Sequence, residues 1–249
     1  MSISIIIPAR FGSTRLPGKP LIKLGNRTLI QHVYQNCSDS GAKNVVVATD
    51  DLKIRDEVES FGGEVCLTES SLASGSDRVA SAVENLGFAA EDIIVNVQGD
   101  EPFVDGESLK NLIEVFKNDH DHEIALASLM TRLNGKEEIQ NPSNVKVIVD
   151  LNNFALYFSR AAIPHDRDGD LPTNYHKHIG VYAFRKNALL EFSQQEITPL
   201  EAAEKIECIR YLEHGKKLKM VYTDRINFGI DTPEDLQRAK AHLKKINSK

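Results

Sequence analysis

Short apolar runs alternate with amphipathic stretches along the first part of the chain. The apolar runs predict buried strands, and the stretches between them, with apolar positions three or four residues apart, predict helices. The predicted strands are Ile3–Ile7, Val45–Ala48, Val65–Leu67 and Ile93–Val97, and the predicted helices are Thr28–Ser40, Leu52–Phe61 and Ser76–Leu86. This alternation is typical of a parallel, right-handed, doubly wound α/β sheet, in which ligands bind at the carboxyl ends of the strands.

The pattern becomes less regular in the second part of the chain. It predicts helices at Asp105–Asn118, at Thr198–His214 and from Thr232 onwards, and strands at Ile124–Met130, Val145–Val149, Ala155–Phe158, Gly180–Phe184 and Lys219–Tyr222. Turn-rich segments separate the middle strands, which favours antiparallel pairing there. We therefore expect a single α/β domain over residues 1–249, with a mostly parallel sheet and a small antiparallel extension at residues 120–185 for substrate binding or dimerisation.

Composition places the chain among ordinary globular proteins. It has 249 residues, of which 41% are hydrophobic and 27% charged, so a core can form without disulfides or structural metals. No apolar run approaches the ~20 residues of a membrane span, and Ser2–Ala9 is too short for a signal-peptide core. The three cysteines, Cys37, Cys66 and Cys208, lack C-x-x-C spacing, so neither a disulfide framework nor a zinc ribbon is expected. These features favour the cytoplasm, a reducing compartment.

Charge is distributed unevenly along the chain. The net charge is −6, yet Met1–Ser38 contains no acidic residue and five basic ones, which are Arg10, Arg15, Lys19, Lys23 and Arg27. A locally positive segment in an acidic protein favours a site for a small anion over a nucleic-acid surface, which spreads basic residues over a whole face. The alternative is a solvated basic stretch without a ligand.

The segment Pro8–Pro20 follows the first predicted strand and combines two glycines, two hydroxyls and three cations. Such a loop at the carboxyl end of a strand can surround a polyphosphate with backbone N–H groups and positive charge. It is not a Walker A loop, because Gly12 and Gly18 are six residues apart and Lys19 precedes a proline, and it lacks the G-x-G-x-x-G pattern of dinucleotide-binding proteins. A polar surface loop is the alternative.

Asp100 is a candidate metal ligand, and Asp231 becomes one only if it faces Asp100 across the same cleft. Asp100 follows the strand Ile93–Val97, and Asp231 precedes the last predicted helix. An aspartate at a strand end, on the same sheet edge as the cationic loop, can hold Mg²⁺ against a nucleotide phosphate. Turn formation or helix capping is the alternative for both residues. The hypothesis requires Lys19, Asp100 and Asp231 to converge on one cleft.

Seven segments carry a resemblance to a known family. They are Ile7–Arg10, Ser13–Pro20, Val47–Asp50, Val95–Pro102, Ala155–Arg160, His178–Tyr182 and Asp231–Asp235. In this order they resemble the 3-deoxy-manno-octulosonate cytidylyltransferase (CMP-Kdo synthetase) family. The first loop alone would indicate only the wider sugar nucleotidyltransferase superfamily, whereas Val-Gln-Gly-Asp-Glu-Pro together with Leu-Tyr-Phe-Ser-Arg is far more specific. The resemblance implies a nucleotide-diphospho-sugar transferase-like fold, Mg²⁺ as cofactor and a homodimer.

The resemblance also implies an activity, the transfer of CMP from CTP to the anomeric hydroxyl of Kdo (3-deoxy-D-manno-octulosonate) for lipopolysaccharide synthesis. Asp100 and Asp231 would hold Mg²⁺ and, with Arg10, Arg15 and Lys19, form the catalytic set. The nucleotide would contact Ala9, Arg10, Ser13, Arg15, Lys19, Ser74, Gly75, Arg78 and Gln98. The sugar acid would contact Arg160, His178, Tyr182 and Glu207, where Arg160 suits a carboxylate because its planar fork can bond both oxygens.

The chemistry of such a transfer agrees with this assignment. The sugar hydroxyl would attack the α-phosphorus in line with the departing pyrophosphate, which demands little covalent work from the protein. Cations offset the repulsion between two anionic substrates and orient the reacting atoms. No serine, cysteine or histidine nucleophile is therefore expected. His178 is expected to be a hydrogen-bonding partner and not a base, with a buried structural histidine as the alternative.

The nucleotide half matches the family pattern better than the sugar half, although Gly25–Thr28 replaces the family's usual Gly-Lys-Pro turn. Cys208 replaces a glutamine near the expected sugar site, and a thiol cannot reproduce the paired donor and acceptor of an amide. His165 stands where the family usually has an aromatic residue. Kdo is therefore the first substrate hypothesis, and a modified Kdo or another sugar acid is the second. A nucleotide-binding module without catalysis is a third alternative.

Overall fold

The structure is a computed structural model, which describes residues 2–12, 16–72, 74–167, 174–225 and 228–247. Two predicted nucleotide-binding residues, Ser13 and Arg15, lie outside the described residues. None of the described helices is both long enough and apolar enough to cross a membrane.

Strands and short helices alternate from the start of the described chain. The strands are β1 Ile3–Ala9, β2 Lys23–Leu24, β3 Arg27–Thr28, β4 Asn44–Thr49, β5 Glu64–Leu67, β6 Ile93–Val97, β7 Ile124–Arg132, β8 Lys146–Val149, β9 Ala155–Ser159, β10 His176–Arg185 and β11 Lys217–Tyr222. The α-helices are α1 Leu29–Ser38, α2 Leu52–Ser60, α3 Gly75–Leu86, α4 Gly106–Lys117, α5 Lys136–Gln140, α6 Lys186–Ser193, α7 Pro199–Glu204, α8 Ile209–Glu213 and α9 Pro233–Asn247. A 3-10 turn covers Lys19–Leu21.

The main sheet has the strand order β11-β7-β10-β6-β1-β4-β5. β1 pairs in parallel with both β4 and β6, whereas β10 runs antiparallel to β6 and β7. β8 and β9 pair antiparallel to each other, and β8 also joins the start of β10. The predicted mixed α/β fold, with a mostly parallel sheet and a small antiparallel extension, is confirmed.

Helices cover both faces of this sheet. Ile5 and Ile7 of β1 belong to the core shared with α1, α2 and α4, while Ile6 belongs to the opposite core shared with α3, α6 and α8. All three isoleucines are fully buried, which explains the unbroken apolar run, since a strand buried on both faces shows no alternation. Polar groups are consequently displaced to the strand ends, where ligands bind in open α/β sheets.

The predicted single helix Thr198–His214 is wrong, because the structure has two helices there. Its start is as expected, since Thr198 and Glu201 form a capping box at the beginning of α7. The chain then breaks at Lys205, which adopts a left-handed φ of 55°. The break buries Ile206 and Cys208 in the core on the α3 side of the sheet.

Other elements differ from prediction at their ends or were not predicted. β10 begins at His176, not at Gly180, because its first residues pair with β7 and β8. Two helices, α5 and α6, were absent from the sequence prediction. α6 has only eight residues and buries Leu189 and Phe192, so its apolar positions were too few to show a helical period.

Candidate active site

A cavity of about 490 Å³ opens where the carboxyl ends of β1 and β6 lie side by side. It is lined by Pro8, Ala9, Arg10, Gly12, Lys19, Pro20, Leu72, Ser74, Gly75, Arg78, Gln98, Gly99, Asp100, Glu207 and Asp231. Every predicted nucleotide residue that the structure describes is in this lining, as are both predicted metal ligands. This location is the one expected for ligands of a parallel sheet.

The loop after β1 returns the chain to the cavity. The Gly18 N–H donates to the Phe11 carbonyl over 3.0 Å, and the Lys19 N–H donates to the Leu16 carbonyl over 3.1 Å. Gly18 adopts a left-handed φ of 66°, a conformation that glycine adopts without steric cost. The turn brings Lys19, which begins the following 3-10 turn, into the cavity wall.

Lys19 forms ion pairs with both candidate metal ligands. Its Nζ lies 2.6 Å from Asp100 Oδ2 and 2.8 Å from Asp231 Oδ1. Burial alone lowers the pKa of Lys19, but the two carboxylates outweigh it, and the pKa is raised above its ordinary value. The three side chains therefore converge on one cleft, as the sequence hypothesis required.

Backbone contacts hold the two aspartates together. The Ile230 N–H donates to the Asp100 carbonyl over 2.9 Å, and Asp231 follows immediately. A Cβ on Gly229 would lie 3.0 Å from Glu101 Oε1, so glycine permits this close approach. At the start of α9, the Asp235 carboxylate accepts from the N–H of Asp231 over 3.2 Å.

The pair of carboxylates fits a divalent cation, because both side chains already reach one shared cationic group. Mg²⁺ is usually bound through one or two carboxylates together with substrate phosphates and water. Within the described ranges, no group of three or more His, Cys, Asp or Glu residues could hold a metal. Asp100 and Asp231 can thus supply the protein ligands of such an ion, and their role as metal ligands stays a prediction.

Glu101 is an acidic residue of this site to which the sequence hypothesis gives no role. Burial, followed by the charge of Asp100, raises its pKa to about 8. Its Oε2 has no hydrogen-bond partner among the described residues. The sequence did contain a signal for Glu101. It is a second carboxyl directly after Asp100, between a buried strand and a proline.

The amino end of α3 forms another wall of the cavity. The Ser74 hydroxyl accepts from the Asp77 N–H over 3.0 Å, and the Asp77 carboxylate accepts from the Ser74 N–H over 3.1 Å. This capping box starts the helix at Gly75, one residue before the predicted start at Ser76. A Cβ on Gly75 would lie 3.2 Å from Gln98 Oε1, so the glycine allows β6 and α3 to meet at the cavity.

Arg78 is buried behind the same helix end, with 3% of its surface exposed. Its guanidinium donates to Thr68 Oγ1 over 2.5 Å and lies 3.3 Å from Asp50 Oδ1. These contacts fix Arg78 between β4, β5 and α3. It contributes to the cavity wall from a rigid position.

Glu207 is the predicted sugar residue that the structure brings into the cavity. Its carboxylate accepts a 2.5 Å hydrogen bond from Ser76 Oγ. Burial raises its pKa, and the bond from Ser76 opposes that change. The family resemblance places Ser76 with its neighbours Ser74–Arg78 in the cytosine pocket, but it did not indicate the bond to Glu207, because that partner is 131 residues away.

Arg160 lies outside the cavity lining. Its Nε donates to the Glu204 carbonyl over 2.7 Å, and one terminal nitrogen donates to the Pro142 carbonyl over 3.1 Å. The Glu204 carboxylate also accepts from the Arg160 N–H over 2.8 Å. The guanidinium is thereby committed to backbone carbonyls, and its contact with a sugar carboxylate stays a prediction.

His178, which is buried, and Tyr182, which is partly buried, lie side by side on β10, also outside the lining. Their ring centroids are 5.5 Å apart, and His178 Nε2 lies 3.1 Å from Ser128 Oγ. Burial lowers the pKa of His178 to about 3. Burial also raises the pKa of Tyr182, which hydrogen-bonds Cys208. The Cys208 thiol therefore faces a partly buried tyrosine, and the contacts of His178 and Tyr182 with a sugar stay predictions.

Comparison with known proteins relates the whole chain to one group of enzymes. The family model described as Cytidylyltransferase matches residues 4–218. The chain is 50% identical to the 3-deoxy-manno-octulosonate cytidylyltransferase of Flavobacterium johnsoniae, over 99% of this chain and 100% of that protein. It is 41% identical to the 8-amino-3,8-dideoxy-manno-octulosonate cytidylyltransferase of Shewanella amazonensis, over 98% and 99% of the two chains.

A solved structure supports the same relationship. CMP:2-keto-3-deoxy-manno-octonic acid synthetase complexed with CTP superimposes with a TM-score of 0.91 at 34% identity, covering 98% of this chain and 99% of that one. A glucose-1-phosphate thymidylyltransferase structure from Bacillus anthracis has a TM-score of 0.68 at 17% identity. The second similarity concerns the fold alone.

Proposed function

The chain belongs to the cytidylyltransferase family, among its 3-deoxy-manno-octulosonate cytidylyltransferases, and from this premise we propose that it makes CMP-Kdo. It would transfer CMP from CTP to the anomeric hydroxyl of Kdo and release pyrophosphate, and the product would serve as donor in lipopolysaccharide synthesis. The observation that carries the proposal is the convergence of Lys19, Asp100 and Asp231 at the mouth of the cavity beyond β1.

The cationic residues act on the triphosphate. Arg10 and Lys19 line the cavity and would offset the negative charge that develops on the α-phosphate and on departing pyrophosphate. Arg15 is proposed for the same role. Because both substrates are anionic, holding them in line against their mutual repulsion is the main work of the protein.

The amino end of α3 is the proposed base-binding wall. Ser74, Gly75 and Arg78 meet Gln98 there, and the amide of Gln98 can both donate to and accept from a cytosine edge. Gly75 leaves the room for this contact. Ala9 and Ser13 would complete the nucleotide contacts from the loop after β1.

Mg²⁺ is the proposed cofactor, with Asp100 and Asp231 as its protein ligands. When bound, such an ion supplies charge neutralisation on the triphosphate and acidifies a coordinated hydroxyl. The shared reach of the two carboxylates supports this assignment. Their backbone link through Ile230 keeps them at a fixed separation.

The sugar acid is proposed to bind beside Glu207, whose carboxylate can accept hydrogen bonds from sugar hydroxyls. Tyr182 is paired with Asn96 of β6, which places it one strand away from the Asp100 segment. His178 and Arg160 are the remaining proposed contacts. Arg160 would have to exchange a backbone carbonyl for the substrate carboxylate.

Release of pyrophosphate is the direct test. The purified protein, Kdo and each of CTP, UTP, ATP and GTP are incubated with Mg²⁺ or with EDTA. We expect release with CTP and Mg²⁺ only. No turnover of CTP plus Kdo at saturating Mg²⁺ would reject the proposal.

A modified Kdo is the second candidate substrate. Relatives 41% identical to this chain are named for 8-amino-3,8-dideoxy-manno-octulosonate, and the chain carries Cys208 and His165 at positions that differ from the family pattern. A panel of sugar acids at fixed CTP would decide by comparing kcat/KM. Calorimetric binding of CTP without any product would instead favour an inactive binding module.

A cytoplasmic homodimer is the proposed working form. The three cysteines are free thiols, which suits a reducing compartment. Residues 120–185 carry exposed apolar side chains at the extension, with Leu156 59% and Leu151 fully exposed. Light scattering after gel filtration would measure the mass, and Leu156→Lys should shift a dimer toward the monomer.

A further inference from the structure

One ammonium group stands at the point that both candidate metal ligands reach. Lys19 Nζ contacts Asp100 Oδ2 at 2.6 Å and Asp231 Oδ1 at 2.8 Å. A Mg²⁺ ion bound by the same oxygens would lie about 2.0–2.1 Å from each. An ammonium and a metal ion cannot share that point, so metal binding requires Lys19 to leave.

The backbone that carries the two carboxylates is held by contacts that do not involve Lys19. The Ile230 N–H bonds the Asp100 carbonyl, and Gly229 packs against Glu101. Lys19, by contrast, carries its charge on a flexible four-carbon stem. The moving part of the site is therefore the lysine side chain, whose ammonium both carboxylates already reach.

Lys19 cannot leave without a new counter-charge. Its side chain is only 12% exposed, so the freed ammonium would remain close to the cavity wall. Its departure would also remove the positive charge that lies between Asp100 and Asp231. An incoming triphosphate resolves both problems, because it offers anionic oxygens to Lys19 while a divalent cation takes the carboxylates.

We propose that Lys19 is a resident counter-ion, which holds both carboxylates in their metal-binding arrangement and excludes a divalent cation until a triphosphate draws it away. The movement of Lys19 would then make the binding of nucleotide and metal cooperative. This coupling would add to any direct contact between the metal and the triphosphate. The identity of the triphosphate rests on the proposed function. By linkage, removing the lysine must raise the affinity for metal in the absence of nucleotide.

Binding of Mn²⁺ alone tests this inference, followed by electron paramagnetic resonance of the free ion. Lys19→Met keeps an unbranched side chain one atom shorter and removes its charge, whereas Lys19→Arg keeps the charge. Arg10→Met is the matched control, because it removes one positive charge from the same cavity, and Arg10 has no ion pair among the described residues. A general electrostatic effect would appear equally in Lys19→Met and Arg10→Met.

We expect Lys19→Met to bind Mn²⁺ roughly 5- to 150-fold more tightly than the wild type, the range typical of coupling between two sites. Lys19→Arg and Arg10→Met should stay within a factor of about three of the wild type, below that coupling range. Equal affinities of Lys19→Met and wild type would overturn the proposal. An equal gain in Arg10→Met would overturn it as well.

A measurement on the wild-type protein covers the case in which Lys19→Met does not fold. The Nζ resonance of Lys19, labelled with ¹⁵N and assigned by its loss in Lys19→Arg, should shift when CTP is added without metal. No shift at saturating CTP would contradict the proposal. If the enzyme fails these tests but still converts CTP and Kdo, the proposed function is retained. Only the counter-ion role of Lys19 is then rejected.

Discussion

The Ser76 hydroxyl donates a 2.5 Å hydrogen bond to the Glu207 carboxylate and thereby joins α3 to the turn between α7 and α8. Ser76 is almost fully buried, and Glu207 lines the cavity. The bond connects the wall proposed for the cytosine base with a residue proposed for the sugar acid. The bond orients the Glu207 carboxylate. It also stabilises the charged form of Glu207, which burial alone disfavours.

Replacing Ser76 should separate the binding of the two substrates. Ser76→Ala removes the donor to Glu207, and hydrogen bonds to charged groups contribute about 1.5–3 kcal/mol. We expect the KM for Kdo to rise roughly 10- to 150-fold, the equivalent of that energy, with little change in the KM for CTP. Steady-state kinetics with each substrate varied in turn gives both constants. Ser81→Ala on the same helix is the control, and an equal rise in both KM values would contradict the assignment.

The first half of the fold was predictable because its strands are buried on both faces. Ile3–Ile7 and Ile93–Val97 are continuous apolar runs, and only a few backbone arrangements can bury such a run. The end of each strand then marks where polar residues return, which is how Lys19 and Asp100 were placed on one sheet edge. Asp231 needed the family resemblance, since its sequence context matches any helix start.

Long-range packing decided what the sequence could not show. The break at Lys205 was missed because Ile206 and Ile209 also fit a helical period, and only the three-dimensional core shows that the intervening turn is buried. The bond between Ser76 and Glu207 joins residues far apart in the chain. The sequence around Arg160 does not indicate that its guanidinium donates hydrogen bonds to backbone carbonyl groups.

Lys19 should act on turnover more than on substrate affinity. Lys19→Ala removes a cation proposed to meet charge that develops in the transition state, a loss of about 2–4 kcal/mol in comparable sites. We expect kcat to fall by the corresponding factor, roughly 30- to 1000-fold. Lys23→Ala, on an exposed position shortly after the same loop, is the control. A higher KM with unchanged kcat would mean that the lysine only binds the ground state.

Asp100 should matter for metal-dependent turnover far more than for stability. Asp100→Asn removes a proposed ligand of Mg²⁺, so kcat should fall on the order of 100-fold or more, as for the loss of other transition-state charge contacts. Lys19 keeps its ion pair with Asp231 in this variant, so the loss of folding stability should be small. Titration of Mg²⁺ at saturating substrates, together with thermal melting, measures both effects. Asp121→Asn on the exposed loop before β7 is the control, and full activity of Asp100→Asn would remove its metal role.

The thiols should be inert in the folded protein. Cys37, Cys66 and Cys208 are all buried, and burial raises the pKa of each. A thiol reacts as its thiolate, so both access and ionisation oppose modification. We expect no rapid reaction with a disulfide reagent in the native state and reaction of all three thiols in concentrated guanidinium. A fast native phase would show that at least one cysteine becomes exposed.

His178 should remain neutral at every pH at which the enzyme works. The Ser128 hydroxyl donates to the Val181 carbonyl over 2.8 Å, so its oxygen accepts the Nε2–H of the imidazole at 3.1 Å. Burial, with a smaller contribution from Lys177, lowers the pKa of His178 from 6.5 to about 3. The pH profile of kcat should therefore show no inflection from His178 near pH 6.5, and an inflection that His178→Gln abolishes would contradict this.

The same pKa shift of His178 makes folding stability depend on pH in a defined direction. Below about pH 6.5 the unfolded chain binds a proton at this imidazole, whereas the folded protein does not until the pH approaches about 3. The stability that the neutral imidazole contributes is therefore complete above about pH 6.5 and is lost as the pH falls toward about 3. His178→Gln, whose amide can still donate to Ser128, should show a shallower decline in the free energy of unfolding between those values. Urea titrations across this range measure the slope, with the exposed His165→Gln as the matched control. A decline as steep in His178→Gln as in the wild type would show that His178 is protonated in the folded protein.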